Sequence, residues 1–165
     1  MRALTIWQPW ASLIAVGAKM IETRSWATNY RGEVAIHAAK HSPGVSFDDD
    51  VARRVIDALG ANLNLSYVEG AILATAHLVV CERIKPMPTD GPKHNDSPGV
   101  LLEDEHSYGW VCEYTDEYAF GDYTPGRFAW IMRCITALKE PIPCTGAQGL
   151  WTVPEELAQR IREDK

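Results

Sequence analysis

Three charged side chains of the segment 17–24 have types and spacing that could do chemistry together. The alternating residue types over 20–25 predict a strand, and a strand places Glu22 and Arg24 on one face, roughly 6 to 7 Å apart along the chain. Lys19 lies in the turn just before this strand, from which its long side chain can reach the same face. The pattern therefore predicts that one carboxylate and two cations converge.

A carboxylate beside two cations is suited to acid–base chemistry. Glu22 could accept a proton from water or from a ribose 2′-hydroxyl while Lys19 or Arg24 stabilises the anion that develops. We therefore take Lys19 and Glu22 as candidate catalytic residues and Arg24 as a candidate binding residue. The alternative is that Glu22 and Arg24 form an exposed pair on a strand and that Lys19 is a solvated turn residue.

Aromatic and basic residues lie close to these charges in the sequence. Flat rings stack on bases and cations bind phosphates, so this mixture is typical of nucleotide recognition. Arg24, Arg31 and Lys40 are the candidate phosphate ligands. Trp7 or Trp26 is the candidate stacking surface, although large aromatic side chains most often fill cores.

Two histidines lie in segments that favour strands. His37 is a candidate acid partner and ligand contact, because the reference pKa of an imidazole is near ~6.5. A strand histidine often has only a structural hydrogen bond, so that alternative stays open. His77 is flanked by Ala76 and Leu78, which favours a hydrogen-bonded histidine of the core.

The composition predicts a single domain over residues 1–165. The chain is 46% hydrophobic and 23% charged, with a net charge of −6, which argues against a basic protein that wraps long duplexes. Any contact with nucleic acid must be local, which favours a short ligand or a single nucleotide. The most apolar segment, 71–81, is too short to span a bilayer, and we expect no membrane role.

The four cysteines (Cys81, Cys112, Cys134 and Cys144) contain no CxxC pair. This spacing argues against a structural zinc site and against a dense disulfide framework, and it favours the reducing cytoplasm. The three acids of 48–50 favour the first turn of a helix rather than a metal site, because consecutive carboxylates diverge around a helix axis. We expect neither a metal nor a cofactor.

The hydrophobic periodicity predicts several strands with short helices between them. Strands are expected at 3–7, 20–25, 33–39, 69–82, 108–113 and 127–138, and helices at 9–16, at 49–59 after a cap near Ser46, and from Thr152 onward. In the strand over 33–39, Val34, Ile36 and Ala38 share one face. We expect the segment 86–107, which is rich in proline and polar residues, to form a mobile excursion. The fold class is α+β, a small mixed β-barrel with short flanking helices.

The segment from Leu4 to Lys40 resembles the ASCH domain family, whose barrel is related to the PUA domains of RNA-modifying proteins. The resemblance rests on Trp7-Gln8-Pro9-Trp10-Ala11, Gly17-x-Lys19-x-x-Glu22-x-Arg24, Trp26, Tyr30-Arg31-Gly32 and Ile36-His37-Ala38-x-Lys40. Near the other end, Gln148-Gly149-Leu150-Trp151 is similar to a segment of the larger members. The resemblance implies a PUA-like barrel with a cleft beneath the first helix and an RNA or nucleotide-like ligand.

The same resemblance implies two kinds of chemistry. Some small members are amidohydrolases of acetylated cytidine that use a lysine, a threonine nucleophile and a glutamate, and ribonuclease activity is described for others. Lys19 matches the lysine, whereas Glu22 stands at the threonine position, and the neighbouring Thr23 is expected on the opposite face of the strand.

Our hypothesis is an RNA-binding or modified-nucleoside-binding protein whose small cleft has Lys19, Glu22 and Arg24 as its polar floor. The alternative is a metal-independent hydrolase, a nucleoside amidohydrolase or a ribonuclease, that uses Glu22 as the base in the same cleft. A third possibility is a protein-interaction module that keeps the fold without a ligand. The sequence leaves the oligomeric state open.

Overall fold

The computed structural model describes residues 1–41, 47–86, 99–103 and 108–164. The strands are β1 (Arg2–Ile6), β2 (Ile21–Arg24), β3 (Gly32–Ala38), β4 (Ala71–Pro86), β5 (Gly99–Glu103), β6 (Tyr108–Cys112), β7 (Phe128–Pro143) and β8 (Leu150–Thr152). The helices are α1 (Trp10–Ala15), α2 (Asp49–Leu59), α3 (Asp116–Ala119) and α4 (Glu155–Asp164), with a 3₁₀ segment at Gly60–Tyr67. The fold is mixed α+β, as the alternation of periodicities predicts.

The two longest strands, β4 and β7, form the centre of the sheet. The strand order is β2-β7-β4-β3-β1-β8, and β5 pairs with β4 and with β6. β1 and β3 run parallel, and the other pairs are antiparallel. Among the described residues no pairing joins the outer strands β2 and β8, so the sheet is open and the barrel expected from the resemblance is not confirmed. The register of β4 against β7 shifts at three places, and such irregularities bend and twist a sheet.

Both faces of the sheet are covered near β3. Val34, Ile36 and Ala38 pack in one cluster with α1, which confirms that they share a face. Ala35 points to the other face and packs in a second cluster with Ala158 and Ile161 of α4 and with Ile72 of β4. The apolar residues on both faces of β4 follow from this arrangement, because a strand between two layers needs apolar side chains on each side.

The side chain of Gln8 fixes the position of α1. Its oxygen accepts hydrogen bonds from the backbone N–H of Ser12, at 3.2 Å, and from the Ser12 hydroxyl, at 2.9 Å. Its amide nitrogen donates to the backbone oxygens of Leu65 and Val68, at 2.8 and 2.7 Å. This buried amide therefore ties the start of α1 to the 3₁₀ segment and places the flanking tryptophans Trp7 and Trp10.

Three details differ from the sequence-based expectations. His77 is exposed, not part of the core, because its position in β4 faces away from both apolar clusters. The cap of α2 is Asp48, whose carboxylate accepts from the backbone N–H of Val51 at 2.8 Å, while Ser46 lies outside the described residues. Of the expected excursion over 86–107, Pro86 and 99–103 are strand residues, and the rest lies outside the described residues. Across the described ranges, no helix has the length and apolar character needed to cross a membrane.

Candidate functional site

The turn between α1 and β2 buries the first charged residue of the predicted site. Gly17 has a φ of +77°, a region that glycine adopts easily, and the backbone N–H groups of Ala18 and Lys19 both donate to Leu13. This turn carries the Lys19 side chain inward until it is only 1% exposed. Its ammonium donates to the backbone oxygen of Ile21.

A carboxylate from a distant helix compensates the buried ammonium. The Lys19 Nζ atom lies 3.7 Å from the Glu117 Oε1 atom of α3. The same carboxylate accepts from the backbone N–H groups of Met20, at 2.7 Å, and Ile21, at 3.1 Å. Burial lowers the pKa of Lys19, and the negative charges of Glu22 and Glu117 partly offset that effect. Glu117 therefore holds both the lysine and the first residues of β2 in place.

Tyr123 completes this buried ionic group. Its hydroxyl donates to Glu117 Oε1 at 3.4 Å, and its ring stacks on Tyr118 with centroids 5.1 Å apart. Burial raises the pKa of Tyr123, and the charges of Glu117 and Glu22 act in the same direction. The tyrosine is thus a neutral hydrogen-bond donor to the carboxylate.

Glu22 and Arg24 of β2 form an ion pair above this group. The Arg24 Nε atom lies 3.1 Å from the Glu22 Oε1 atom. A second guanidinium nitrogen of Arg24, Nη2, donates to the backbone oxygen of Thr5 in β1 at 2.7 Å. Glu22 is 8% exposed, so this pair is not the solvated surface pair that the alternative reading allows. Arg24 connects the carboxylate to β1 and lies between two cavities.

The first cleft has a volume of about 460 Å³ and lies between β2 and the loop after α3. Its charged lining residues are Glu22, Arg24, Asp122 and Arg127, and Trp10 and Trp26 are among its aromatic lining residues. Asp122 is held within its own loop. Its Oδ1 atom accepts from the Thr124 hydroxyl at 2.6 Å, and its Oδ2 atom lies 3.2 Å from Arg127 Nε. The hydrogen bonds from Thr124 lower the pKa of Asp122.

The second cleft has a volume of about 560 Å³ and shares Thr5, Trp7, Arg24 and Trp26 with the first. Its remaining lining residues are His37, Lys40, Thr145, Gly146, Ala147, Gln148 and Gly149. Two cations and two tryptophans thus face one space, and its lining, as far as the structure describes it, contains no carboxylate. Trp7 is 52% exposed, which leaves much of its side chain accessible to a ligand.

The loop 145–149 forms a wall of the second cleft through contacts with β1 and β3. The Thr5 hydroxyl donates to the Ala147 backbone oxygen at 2.9 Å and accepts from the Trp151 indole N–H at 3.1 Å. The His37 Nε2 atom lies 3.2 Å from the Cys144 backbone oxygen. Because a carbonyl oxygen only accepts, we assign the proton of His37 to Nε2.

Gly146 lies directly against the His37 ring. A Cβ atom at this position would lie 2.5 Å from His37 Nδ1 and 2.8 Å from the Thr5 hydroxyl. The Nδ1 atom is buried and has no hydrogen-bond partner among the described residues, and burial lowers the pKa of His37. The histidine is therefore packed as a neutral ring that holds the loop.

The structure brings most of the predicted site residues together but not all of them. Those that line the second cleft are Arg24, Trp7, Trp26, His37 and Lys40. Glu22 lines the first cleft, whereas Lys19 lies beneath it and lines neither cleft. Arg31 is exposed and also lines neither cleft, because its guanidinium donates to the backbone oxygens of Thr28, at 2.9 Å, and Tyr30, at 2.8 Å.

Sequence reasoning missed four contributors to the site. These are Glu117, Asp122, Arg127 and Gly146. Thr115 followed by two acidic residues is a helix-start signal, and Thr115 does cap α3. Nothing in that signal shows that the Glu117 carboxylate contacts a turn 97 residues earlier. Thr23, expected on the opposite face of β2 from Glu22, is also among the residues of the first cleft, because the loop with Asp122 folds over it.

A family model described as "ASCH domain" matches residues 4–120 of this chain, well over half of it. The chain belongs to the ASCH domain family. The matched range of the ASCH domain includes Lys19, Glu22, Arg24 and Glu117, while the loop 145–149 lies beyond it.

Two curated relatives are similar to the same domain, and both are named Activating signal cointegrator 1. The human protein is 32% identical over 104 residues, which is 60% of this chain and 18% of the human protein. The mouse protein is 28% identical over 116 residues, which is 69% of this chain and 19% of the mouse protein. The ASCH domain described above thus corresponds to about a fifth of the length of these relatives.

Proposed function

We propose that this ASCH domain binds a short RNA segment or a modified nucleoside across its two clefts. The observation that carries the proposal is the second cleft, in which Lys40, Arg24, Trp7 and Trp26 face one space. Cations bind phosphate groups and tryptophan rings stack on bases, so this combination suits a nucleotide. The family membership supports the proposal, since ASCH domains are linked to RNA binding.

The distribution of charge favours a short ligand. The whole chain carries a net charge of −6, which disfavours the binding of a long polyanion. The described lining of the second cleft contains the cations Lys40 and Arg24 and no carboxylate, and Arg24 is paired with Glu22 of the first cleft. We therefore propose one or two phosphate contacts at this place. The four cysteines are free thiols, which suits a protein that works in the cytoplasm.

The phosphate contact can be tested with Lys40→Ala. Lys40 is exposed and lines the second cleft, so its removal should weaken the binding of a fluorescein-labelled single-stranded RNA without changing the fold. The slope of log K against log salt concentration should become shallower by about 0.7, which is the contribution of one phosphate contact on a single strand. Lys139→Ala is the matched control, because Lys139 is also exposed and lines neither cleft. If anisotropy titrations give the same RNA affinity for both variants, Lys40 is not a phosphate contact.

The stacking surface can be tested with Trp7→Ala. Base stacking on an aromatic ring contributes about 1–3 kcal/mol per base, so loss of this ring should weaken RNA binding roughly 5- to 150-fold. Tyr114→Ala is the control, because Tyr114 is 70% exposed and lines neither cleft. If the two variants bind RNA equally well, stacking on Trp7 is excluded.

A hydrolase in the same clefts is the second candidate function, and the buried Lys19 beside Glu22 favours it. A lysine whose pKa is lowered by burial next to a cleft carboxylate is typical of functional sites. In this alternative, Glu22 accepts a proton from water or a 2′-hydroxyl, and Arg24 stabilises the developing anion. Lys19 does not contact the substrate in this alternative, and it interacts electrostatically with Glu22 from the protein interior.

Turnover distinguishes the two candidates. Single-stranded RNA and N4-acetylated cytidine are incubated with the protein, and the products are separated by liquid chromatography. A hydrolase releases product, and Glu22→Gln abolishes that release because an amide does not accept the proton. If neither substrate is converted while RNA still binds, the domain is a binding module and the hydrolase alternative is wrong.

A further inference from the structure

We infer that Glu22 makes the first cleft selective for guanine among the four RNA bases. The inference rests on the proposed function, since it assigns a base to a ligand whose phosphate contacts Lys40 and Arg24 in the second cleft. Two observations support the inference. One carboxylate of the first cleft can still accept hydrogen bonds from a ligand, and the four bases differ in the hydrogen-bond donors that they offer to it.

Two carboxylates are among the described lining residues of the first cleft, and they differ in their existing partners. The Oδ1 atom of Asp122 accepts hydrogen bonds from the backbone N–H and the hydroxyl of Thr124. Its Oδ2 atom lies 3.2 Å from Arg127 Nε. Its two oxygens are thus both engaged within its own loop. Among the residues that the structure describes, Glu22 has one ion pair, between Oε1 and Arg24 Nε at 3.1 Å. Because a carboxylate offers about four lone-pair positions, Glu22 retains acceptor capacity towards the cleft.

Two cations lie close to the Glu22 carboxylate. Arg24 contacts it directly, and the buried ammonium of Lys19 is close enough to interact with its charge. Hydrogen bonds to an ionised group are stronger than those between neutral groups, above all where water is excluded.

Trp10 and Trp26 also line the first cleft. The edge of a base could therefore bind Glu22 while its face stacks on a tryptophan ring. Trp26 is held by its neighbour Trp130, which packs edge-on at 4.6 Å between ring centroids and donates its indole N–H to the Trp26 backbone oxygen. Such a fixed aromatic wall presents a defined surface for stacking. It adds affinity for every base and selects none.

The selectivity comes from the hydrogen-bonding edges of the bases. Guanine presents two adjacent donors, N1–H and N2–H, to which a carboxylate binds through both oxygens. Adenine, cytosine and uracil each place an acceptor beside a donor on that edge, and this acceptor repels the carboxylate. Arg24 is held in place by its ion pair with Glu22 and by the hydrogen bond from Nη2 to the Thr5 oxygen, and on this edge only guanine offers the carboxylate two donors. Guanine is therefore the base that fits.

The experiment compares trinucleotides that differ only in the central base. The probes are UGU, UIU, UAU, UCU and UUU, in which inosine lacks only the N2 amino group of guanine. A good bidentate contact discriminates by about 1–3 kcal/mol, so UGU should bind about 5- to 150-fold more tightly than UAU, UCU or UUU, with UIU in between. Because all probes carry the same phosphates, these differences report the base alone. Binding is measured by titration in ¹H–¹⁵N NMR spectra of the unmodified protein.

Glu22→Gln assigns the selectivity to this residue. We expect UGU to fall to the level of the other probes, while UAU, UCU and UUU change less than twofold. Glu156→Gln is the matched control, because Glu156 is exposed on α4 and lines neither cleft. Circular dichroism checks the fold, and the comparison of UGU with UIU on the wild-type protein holds even where the variant does not fold.

The outcomes separate this inference from the proposed function. Equal binding of all five probes overturns the guanine selectivity and leaves the RNA-binding proposal in place. A preference for another base, or a guanine preference that survives Glu22→Gln, also overturns it. If none of the trinucleotides and no longer single strand binds, the proposed function itself is wrong and the inference is lost with it.

Discussion

The two clefts share Arg24 but are built in different ways. The first cleft lies next to a group of buried charged side chains. In this group the Glu117 carboxylate compensates the charge of Lys19 and accepts hydrogen bonds from the first residues of β2. The second cleft has a backbone loop as its wall, held by single hydrogen bonds from Thr5 and His37. The charge of the first is thus set by ion pairs, and the shape of the second is set by close packing.

This difference predicts different responses to substitution. An ionic group in a dry environment is costly to break, because the remaining charge stays buried without its partner. A loop that packs on a ring responds to added volume, because a close-packed wall has no room for an extra atom.

Glu117→Ala should have the largest effect on stability. It leaves the Lys19 ammonium buried with fewer acceptors and removes the partner of two backbone N–H groups. Loss of one partner of a buried ion pair costs about 3–5 kcal/mol of unfolding free energy. Urea denaturation measures this change. Asp116→Ala is the control from the same helix, since the Asp116 carboxylate is exposed in its pair with Arg54, and the midpoint should hardly move. Equal losses for both variants would contradict a buried role for Glu117.

Gly146→Ala should have an intermediate effect that is centred on the second cleft. The added Cβ would lie 2.5 Å from His37 Nδ1 and 2.8 Å from the Thr5 hydroxyl, so the loop or the ring must move. Overpacking of this kind costs about 1–3 kcal/mol of unfolding free energy. Displacement of the loop should also weaken RNA binding. Ala137→Ser is the control, because it adds one atom at an exposed position of β7 that lines neither cleft. A fully stable Gly146→Ala protein with unchanged affinity would show that the loop is not closely packed.

His37 should make a smaller, pH-dependent contribution to the stability of the second cleft. Burial lowers its pKa in the folded protein, so below the unfolded value of about 6.5 the unfolded chain binds more protons. The contribution is complete above about pH 7 and decreases as the pH falls through 6.5 towards the folded pKa. A single group contributes a slope of at most about 1.4 kcal/mol per pH unit. His37→Gln should flatten the curve of unfolding free energy between pH 7 and pH 5. If the two curves stay parallel, the ring is not held neutral by its surroundings.

The local elements near the N-terminal end were accessible to sequence reasoning. Side chains alternate strictly along a strand, so the pattern over 20–25 was sufficient to place Glu22 and Arg24 side by side. The apolar spacing of Val34, Ile36 and Ala38 predicted the face that packs against α1. Both inferences depend on geometry within a few residues, and this geometry is nearly independent of the rest of the chain.

The same reasoning failed where a residue's environment depends on a distant segment. His77 lies between apolar neighbours in the sequence, yet it is exposed, because its face of β4 is left uncovered at that point. Arg31 matches the spacing of a phosphate ligand, yet its guanidinium binds the backbone of its own turn. The expected barrel also needs a pairing between outer strands, and strand spacing along the chain does not specify which strands meet.

By itself, the sequence determined the residue types of the site, the family and the faces of the short strands, because periodicity and turn chemistry act over a few residues. The tertiary structure alone decided that Lys19 is buried, that Glu117 compensates it, and that Arg24 separates two clefts of different charge. Burial and electrostatic pairing depend on which distant segments pack together, and only the folded chain brings α3 and the loop 145–149 to β2 and β3.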